Sequence, residues 1–439
     1  MSTLKVIGGK QLHGEVVPQG AKNEALQVIC ASLLCSEGVV VLHNVPKIND
    51  VQNLFKILSH LVVGIAQLQK NTYQLETVQY VNPALPFIET KEFDDMCKTI
   101  RASIMLLGPM LGRFGKAVIP KVGGDKIGSR PIDVHINAFK QLGVVFEEKN
   151  GKIFCTTPNG LIGADILLEE ASVTGTANVL MAAVLAKGET VIRNAASEPY
   201  LEQLCLMLNS MGAQIVGVGS NVLTIQGVTK LHGCEHALLP DMIEVGSFIG
   251  LAAATKSDIL IKNVRWDKLG LTPNTFRKLG VFLSKNSGDD IYVPEQGRYD
   301  IERTNDGGIL VVKDGIWPAF SPDLISIAIV TAVFGNGNVL FHQWMFENRL
   351  VFVDQLIQMG AIIVPCDPHR VSVTGLNGSR KLHGIEMSSP DIRAGMALLI
   401  AALAAEGESI IHGAEQIDRG YENIVPRLQA LGAKIERID

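Results

Sequence analysis

One pattern repeats six times along the chain, and few folds can accommodate it. Each copy has a small-residue apolar helix, a glycine or serine turn, a short strand, an amphipathic helix ending at glycine, and another strand. The first turn falls at Gly38, Gly115, Gly188, Ser257, Gly337 and Gly407, spaced 69–80 residues apart. The second mark falls at Gly143, Gly212, Gly280, Gly360 and Gly432, spaced 68–80 apart, so the two marks travel together. The first copy reads Leu-Val-Val at 61–63 in place of the second glycine. Units of this length exceed those of ordinary solenoids, which argues against a stacked rod. Six βαβ-like units instead divide three and three into two globular domains with helices packed inside, an α/β fold.

The local chemistry of a copy agrees with this. In SEPYLEQLCLMLNSMG, Ser197 reads as an N-cap and Pro199 as a first-turn residue. Leu201, Leu204, Cys205, Leu208 and Met211 form an apolar stripe at helical spacing, and Gly212 supplies a left-handed C-terminal cap. The other helix type, as in NVLMAAVLA or RAGMALLIAALAA, is apolar all round and is therefore expected to be buried within its domain.

Composition narrows the function. With 39 Lys+Arg against 44 Asp+Glu, the net charge of −5 disfavours a general nucleic-acid binder but leaves room for a small anionic ligand in a locally basic pocket. The 7 cysteines form no C-x-x-C pair, so neither a disulfide framework nor a zinc site is expected. The first residues lack the apolar stretch of a signal peptide, and the apolar runs are too short to span a bilayer. A soluble cytoplasmic protein without membrane contact is expected.

Basic residues recur near helix starts or turns: Lys22, Arg101, Arg130, Arg349, Arg393 and Arg419. Singly, each reads as a solvated charge. Their recurrence points to a multivalent site for phosphate or carboxylate, aided by free helix N–H groups. Three Pro-Asp pairs, at Asp241, Asp323 and Asp391, occupy the same place in the later copies. Each is a cap or, if it faces a cleft, a general base, and the pattern does not choose among them. The Gly-rich segment 122–131 carries Asp125 and Arg130 and reads either as a mobile lid or as a plain surface loop. It is neither a Walker loop nor a dinucleotide fingerprint. His135 shares a helical stripe with Ile132, Phe139 and Leu142 and is expected to be packed rather than catalytic.

Several segments together carry a family resemblance: GAKN at 20–23, RASI at 101–104, GGDKIGSRPIDVH at 123–135, FENR at 346–349, DIRA at 391–394 and IDRGYE at 417–422. Over essentially its full length the chain resembles the UDP-N-acetylglucosamine enolpyruvyltransferases, the 1-carboxyvinyltransferases of peptidoglycan synthesis. The resemblance implies a two-domain inside-out α/β barrel of six repeats. One domain would be discontinuous, 1–21 with 240–439, and the other would be 22–239, bearing the lid 121–131. It implies transfer of the enolpyruvyl group of phosphoenolpyruvate to the 3′-hydroxyl of UDP-N-acetylglucosamine, by a monomer without metal or other cofactor.

By the same resemblance, Lys22, Arg130 and Arg419 would hold phosphoenolpyruvate, supported by Arg101, Arg349 and Arg393. Asp323 would be the base toward the sugar hydroxyl. Asn23, Arg101, Arg130, Asp133, Ser172, Val173, Asp323, Met345 and Phe346 would line the nucleotide-sugar site. Asp125 would be catalytic, standing where most members carry the cysteine alkylated by fosfomycin, so fosfomycin insensitivity is expected. Asn49 and Glu170 stand where relatives often have Lys. Two other readings stay open: a shikimate-type enolpyruvyltransferase, and a nucleotide-sugar-binding paralogue without turnover.

Overall fold

The computed structural model describes residues 2–61, 63–77, 87–119, 122–123, 128–129, 131–286 and 288–438. They form two compact units. One gathers 2–19, 128–129 and 240–438; the other gathers the described residues of 20–123 and 131–239. The chain passes from one to the other after Gln19 and after Leu239.

Each unit carries three small sheets among the described residues, one per repeat. Five of the six follow one plan. In the first unit, for example, Leu310–Lys313 runs parallel to Asn338–His342, which is antiparallel to Arg370–Thr374, itself antiparallel to Ile362–Asp367. The last repeat borrows the N-terminal strand: Thr3–Ile7 lies antiparallel between Glu408–His412 and Lys434–Ile438, with Thr3 opposite both His412 and Ile438. The sheet of Lys116–Ile119, Lys152–Thr156 and Val145–Lys149 has three strands among the described residues.

The glycine marks are backbone devices. Gly38, Gly115, Gly188, Gly337 and Gly407 all have positive φ, as do Gly143, Gly212, Gly280, Gly360 and Gly432. This left-handed region is one that glycine enters without steric penalty. In the fourth copy the left-handed residue is Lys256, one before Ser257. Ser257 is instead fully buried, its Oγ accepting the Leu12 N–H at 2.8 Å.

The helices that are apolar all round lie inside. In the first unit Met242–Ala254, Ile325–Phe334 and Ile392–Ala404 pack against one another and bury nearly every residue. Their close approach depends on missing side chains: a Cβ on Gly250 would sit 2.4 Å from Ile327 Cγ2, and one on Gly246 would sit 2.6 Å from Leu324 Cδ1. In the second unit the corresponding helices are Lys22–Ala31, Leu107–Phe114 with its leading 3-10 turn Arg101–Leu106, and Val173–Ala183. Arg101–Leu106 packs against both of the others. Helices in the core with sheets around them reverse the usual barrel, the inside-out α/β arrangement.

The amphipathic helices bury one face, as the stripe predicts: Leu201, Leu204, Cys205, Leu208 and Met211 are all buried. The expected cap at Ser197 is a misreading. The helix spans Pro199–Ser210, so the cap position belongs to Glu198, which makes no side-chain capping bond. Proline in the first turn sets the start one residue later than the serine suggests.

Candidate functional site

The three Pro-Asp pairs separate once their hydrogen bonds are followed. Asp241 Oδ1 accepts the N–H groups of Ile243 and Glu244, capping Met242–Ala254. Asp391 Oδ1 accepts those of Arg393 and Ala394, capping Ile392–Ala404. Asp323 does not hold the N-cap position of its helix. Ser321 takes the cap position instead and accepts the Asp323 N–H at 3.3 Å, which leaves the carboxylate of Asp323 for other partners.

Those partners are two of the predicted arginines. Arg349 Nη2 donates to Asp323 Oδ1 at 2.5 Å, and Arg393 Nε donates to Oδ2 at 3.1 Å. Arg393 is buried, and burial by itself would weaken its charge. The carboxylate of Asp323, with smaller contributions from Tyr421 and Asp241, outweighs burial and holds the guanidinium above its ordinary pKa. Tyr421 lies under Arg393, ring centroid 5.5 Å away, and Phe346 under Arg349 at 5.0 Å. Arg349 Nε and Arg393 Nη1 are buried donors without a hydrogen-bond acceptor. Buried guanidinium N–H groups left over in this way suit an incoming anion, because charge-assisted bonds to carboxylate or phosphate satisfy them.

The remaining predicted residues of this unit lie on neighbouring turns. Arg419 ends the 3-10 helix Ala414–Arg419, which packs on Ile392–Ala404, and its Nη1 donates to Gln416 Oε1 at 3.0 Å. Gln19 braces the turn beyond it, donating to the Gly420 carbonyl at 2.8 Å and accepting the Glu422 N–H at 2.6 Å. Met345 and Phe346 stand on the segment between Asn338–His342 and Val353–Gln358. Next to them, Glu347 Oε2 accepts the Ser129 N–H at 3.3 Å.

In the second unit, the predicted residues collect at helix starts. Lys22 opens Lys22–Ala31 and pairs with Asp50 at 2.7 Å, both side chains nearly buried. Asn23 follows it, half-buried. Arg101, half-buried, begins Arg101–Leu106. Asp133 is the exposed first residue of Asp133–Gln141. Ser172 Oγ caps Val173–Ala183 by accepting the Gly175 N–H at 3.2 Å, and Val173 is that helix's first residue. His135 is packed, as expected: it is 2% exposed, with Nδ1 3.0 Å from Asn178 Nδ2 and Nε2 3.3 Å from Thr174 Oγ1. Burial, then the nearby Arg101 charge, push its pKa down to about 4.

The basic residues described here are thus buried or half-buried, not the solvated charges each suggests alone. Asp125 and Arg130 lie outside the described residues. Two participants escaped the sequence reading, Asp50 beside Lys22 and Tyr421 beneath Arg393. Neither carries a local signal, since each is defined by a partner distant in the chain. Among the described residues no group of His, Cys, Asp and Glu could hold a metal ion, and no helix is long and apolar enough to cross a membrane.

Residues 6–428 match the family model described as EPSP synthase (3-phosphoshikimate 1-carboxyvinyltransferase). The chain is 54% identical over 440 residues to a UDP-N-acetylglucosamine 1-carboxyvinyltransferase of Bacteroides thetaiotaomicron, covering 100% of both. It is 51% identical over 439 residues to one of Porphyromonas gingivalis, again covering 100% of both. The fold is similar to the crystal structure of an enolpyruvyl transferase of Streptomyces tendae, with TM-score 0.85 at 19% identity, covering 100% of this chain and 99% of that one. With the repeat-built fold and the arginine-held Asp323, these matches make the chain a member of the EPSP synthase (3-phosphoshikimate 1-carboxyvinyltransferase) family, alongside the UDP-N-acetylglucosamine 1-carboxyvinyltransferases it matches over its whole length.

Proposed function

We propose that the chain transfers the enolpyruvyl group of phosphoenolpyruvate to the 3′-hydroxyl of UDP-N-acetylglucosamine and releases phosphate, the committing step of peptidoglycan synthesis. The observation that carries this reading is the Asp323 carboxylate between Arg349 and Arg393, freed from capping and set beside guanidinium donors that lack acceptors. The functional partition is 1–21 with 240–439, bearing Asp323, Arg349, Arg393 and Arg419, and 22–239, bearing Lys22, Asn23, Arg101, Asp133, Ser172, Val173 and the loop 121–131.

The chemistry is addition followed by elimination. The sugar oxygen bonds to C2 of phosphoenolpyruvate while Asp323 accepts its proton and C3 gains one from an acid, a role assigned to Asp125. C3 then gives up a proton and the C2–O bond to phosphate breaks, which restores the double bond. Lys22, Arg130 and Arg419 hold the phosphate and carboxylate, with Arg101, Arg349 and Arg393 supporting them. In a site that excludes water, fixed cations stabilise the developing charge far more than they would in solution. Met345 and Phe346, with Asn23, Asp133, Ser172 and Val173, receive the nucleotide sugar. A carboxylic acid at position 125 transfers a proton as a thiol does but lacks the thiolate that an epoxide alkylates, so fosfomycin leaves the enzyme active.

Phosphate release tests the reading. Inorganic phosphate should appear only when phosphoenolpyruvate and UDP-N-acetylglucosamine are both present. Release with shikimate 3-phosphate as acceptor, or none with the nucleotide sugar, refutes it.

A further inference from the structure

One buried carboxylate near this site has no part in the chemistry above. Asp314 follows the strand Leu310–Lys313 and is 2% exposed. Its Oδ1 accepts the Trp344 N–H at 2.5 Å, and its Oδ2 accepts the Met345 N–H at 3.2 Å and the Gln343 side-chain amide. All three donors come from consecutive residues of one irregular segment. Gln343 is itself fully buried and is pinned from the other side, its carbonyl 3.0 Å from His369 Nδ1 and its N–H donating to the His369 carbonyl at 2.8 Å.

This placement has a physical consequence. An irregular segment between a strand and a helix has no ladder to hold it, and a buried carboxylate is costly unless donors surround it. Here the two needs meet. The carboxylate fixes residues 343–345, and the next residue, Phe346, lies under Arg349, which grips Asp323. A continuous set of contacts therefore runs from Asp314 to the base.

We propose that Asp314 is a positioning residue that holds Met345 and Phe346 in the conformation that receives the nucleotide sugar. This rests on the substrate reading above. Asp314 touches no substrate; its role is to have the segment ordered before the sugar arrives, which removes an ordering penalty from binding.

The test is Asp314→Asn, which keeps the shape but turns an NH2 group toward one set of donors. The expected result is a KM for UDP-N-acetylglucosamine raised about tenfold, the scale of one lost charge-assisted hydrogen bond, with the KM for phosphoenolpyruvate within about twofold and faster hydrogen exchange at the Trp344 and Met345 amides. Gln343→Met removes one donor only and should shift the same parameter in the same direction by less, which keeps the test alive if Asp314→Asn fails to fold. An unchanged nucleotide-sugar KM despite faster exchange overturns the proposal, as does an equal loss toward both substrates. If wild-type protein does not bind UDP-N-acetylglucosamine by calorimetry, the substrate reading itself fails. Unchanged amide exchange in Asp314→Asn shows separately that the clamp is wrong.

Discussion

Arg393 Nε donates to Asp323 Oδ2 at 3.1 Å across 70 residues of sequence, joining the starts of two central helices. Both residues belong to Pro-Asp segments that look alike, yet the neighbouring Asp391 spends its carboxylate on capping while Asp323 leaves that task to Ser321. The three aspartates should therefore respond differently to the same substitution. Asp241→Ala and Asp391→Ala should each lower stability by about 1–2 kcal/mol, the worth of a lost N-cap. Asp323→Ala should lower stability at least as much, because it leaves the buried Arg393 guanidinium unpaired, and it alone should also reduce kcat by at least about a hundredfold, as expected for loss of a general base. Denaturant titration together with phosphate-release kinetics checks this. Equal activity losses in all three would remove the distinction.

Position 125 yields a chemical prediction. Wild-type enzyme incubated with fosfomycin should keep its activity and its intact mass over hours, whereas Asp125→Cys should lose activity with time and gain the mass of the adduct. Covalent inactivation of the wild type would contradict the proposed role of the carboxylic acid.

His135 makes stability fall in acid. Its folded pKa of about 4 lies below the usual imidazole value of 6.5, because burial and Arg101 oppose its charge. The stability it contributes is complete above about pH 6.5 and is lost as the pH falls through about 4, by up to about 3 kcal/mol. Urea unfolding of wild type and His135→Gln at pH 7 and pH 4.5 should show the wild type losing more between the two. Parallel losses would mean that the imidazole does not titrate as buried.

Glu198 acts in the opposite direction. It is 8% exposed, with Oε2 lacking a hydrogen-bond partner, and burial raises its pKa to about 7, against the smaller lowering effect of nearby backbone N–H groups. A carboxyl raised from 4.5 favours the fold fully below about pH 4.5, and this contribution disappears as the pH rises through about 7, again by up to about 3 kcal/mol. Glu198→Gln, which cannot ionise, should therefore gain on wild type between pH 4.5 and pH 8 in the same unfolding assay. A constant difference across that range would show that the carboxyl ionises freely.

Much of this molecule is legible along the chain because it is encoded over short distances. The six-fold repeat, the left-handed glycines, and the helices with no polar face each depend on residues within a turn or two, so periodicity reveals them. Local patterns also mislead locally, as Ser197 and Ser257 show, where a proline or a buried hydrogen bond shifts the special residue by one. What only the tertiary structure decided is which of several similar side chains do different work. Asp323 differs from Asp241 and Asp391 through Arg349 and Arg393, 26 and 70 residues away. Lys22 acquires Asp50 and Asp314 acquires residues 343–345 in the same manner. A carboxylate's role depends on the donors facing it, and packing of separate repeats sets which donors those are.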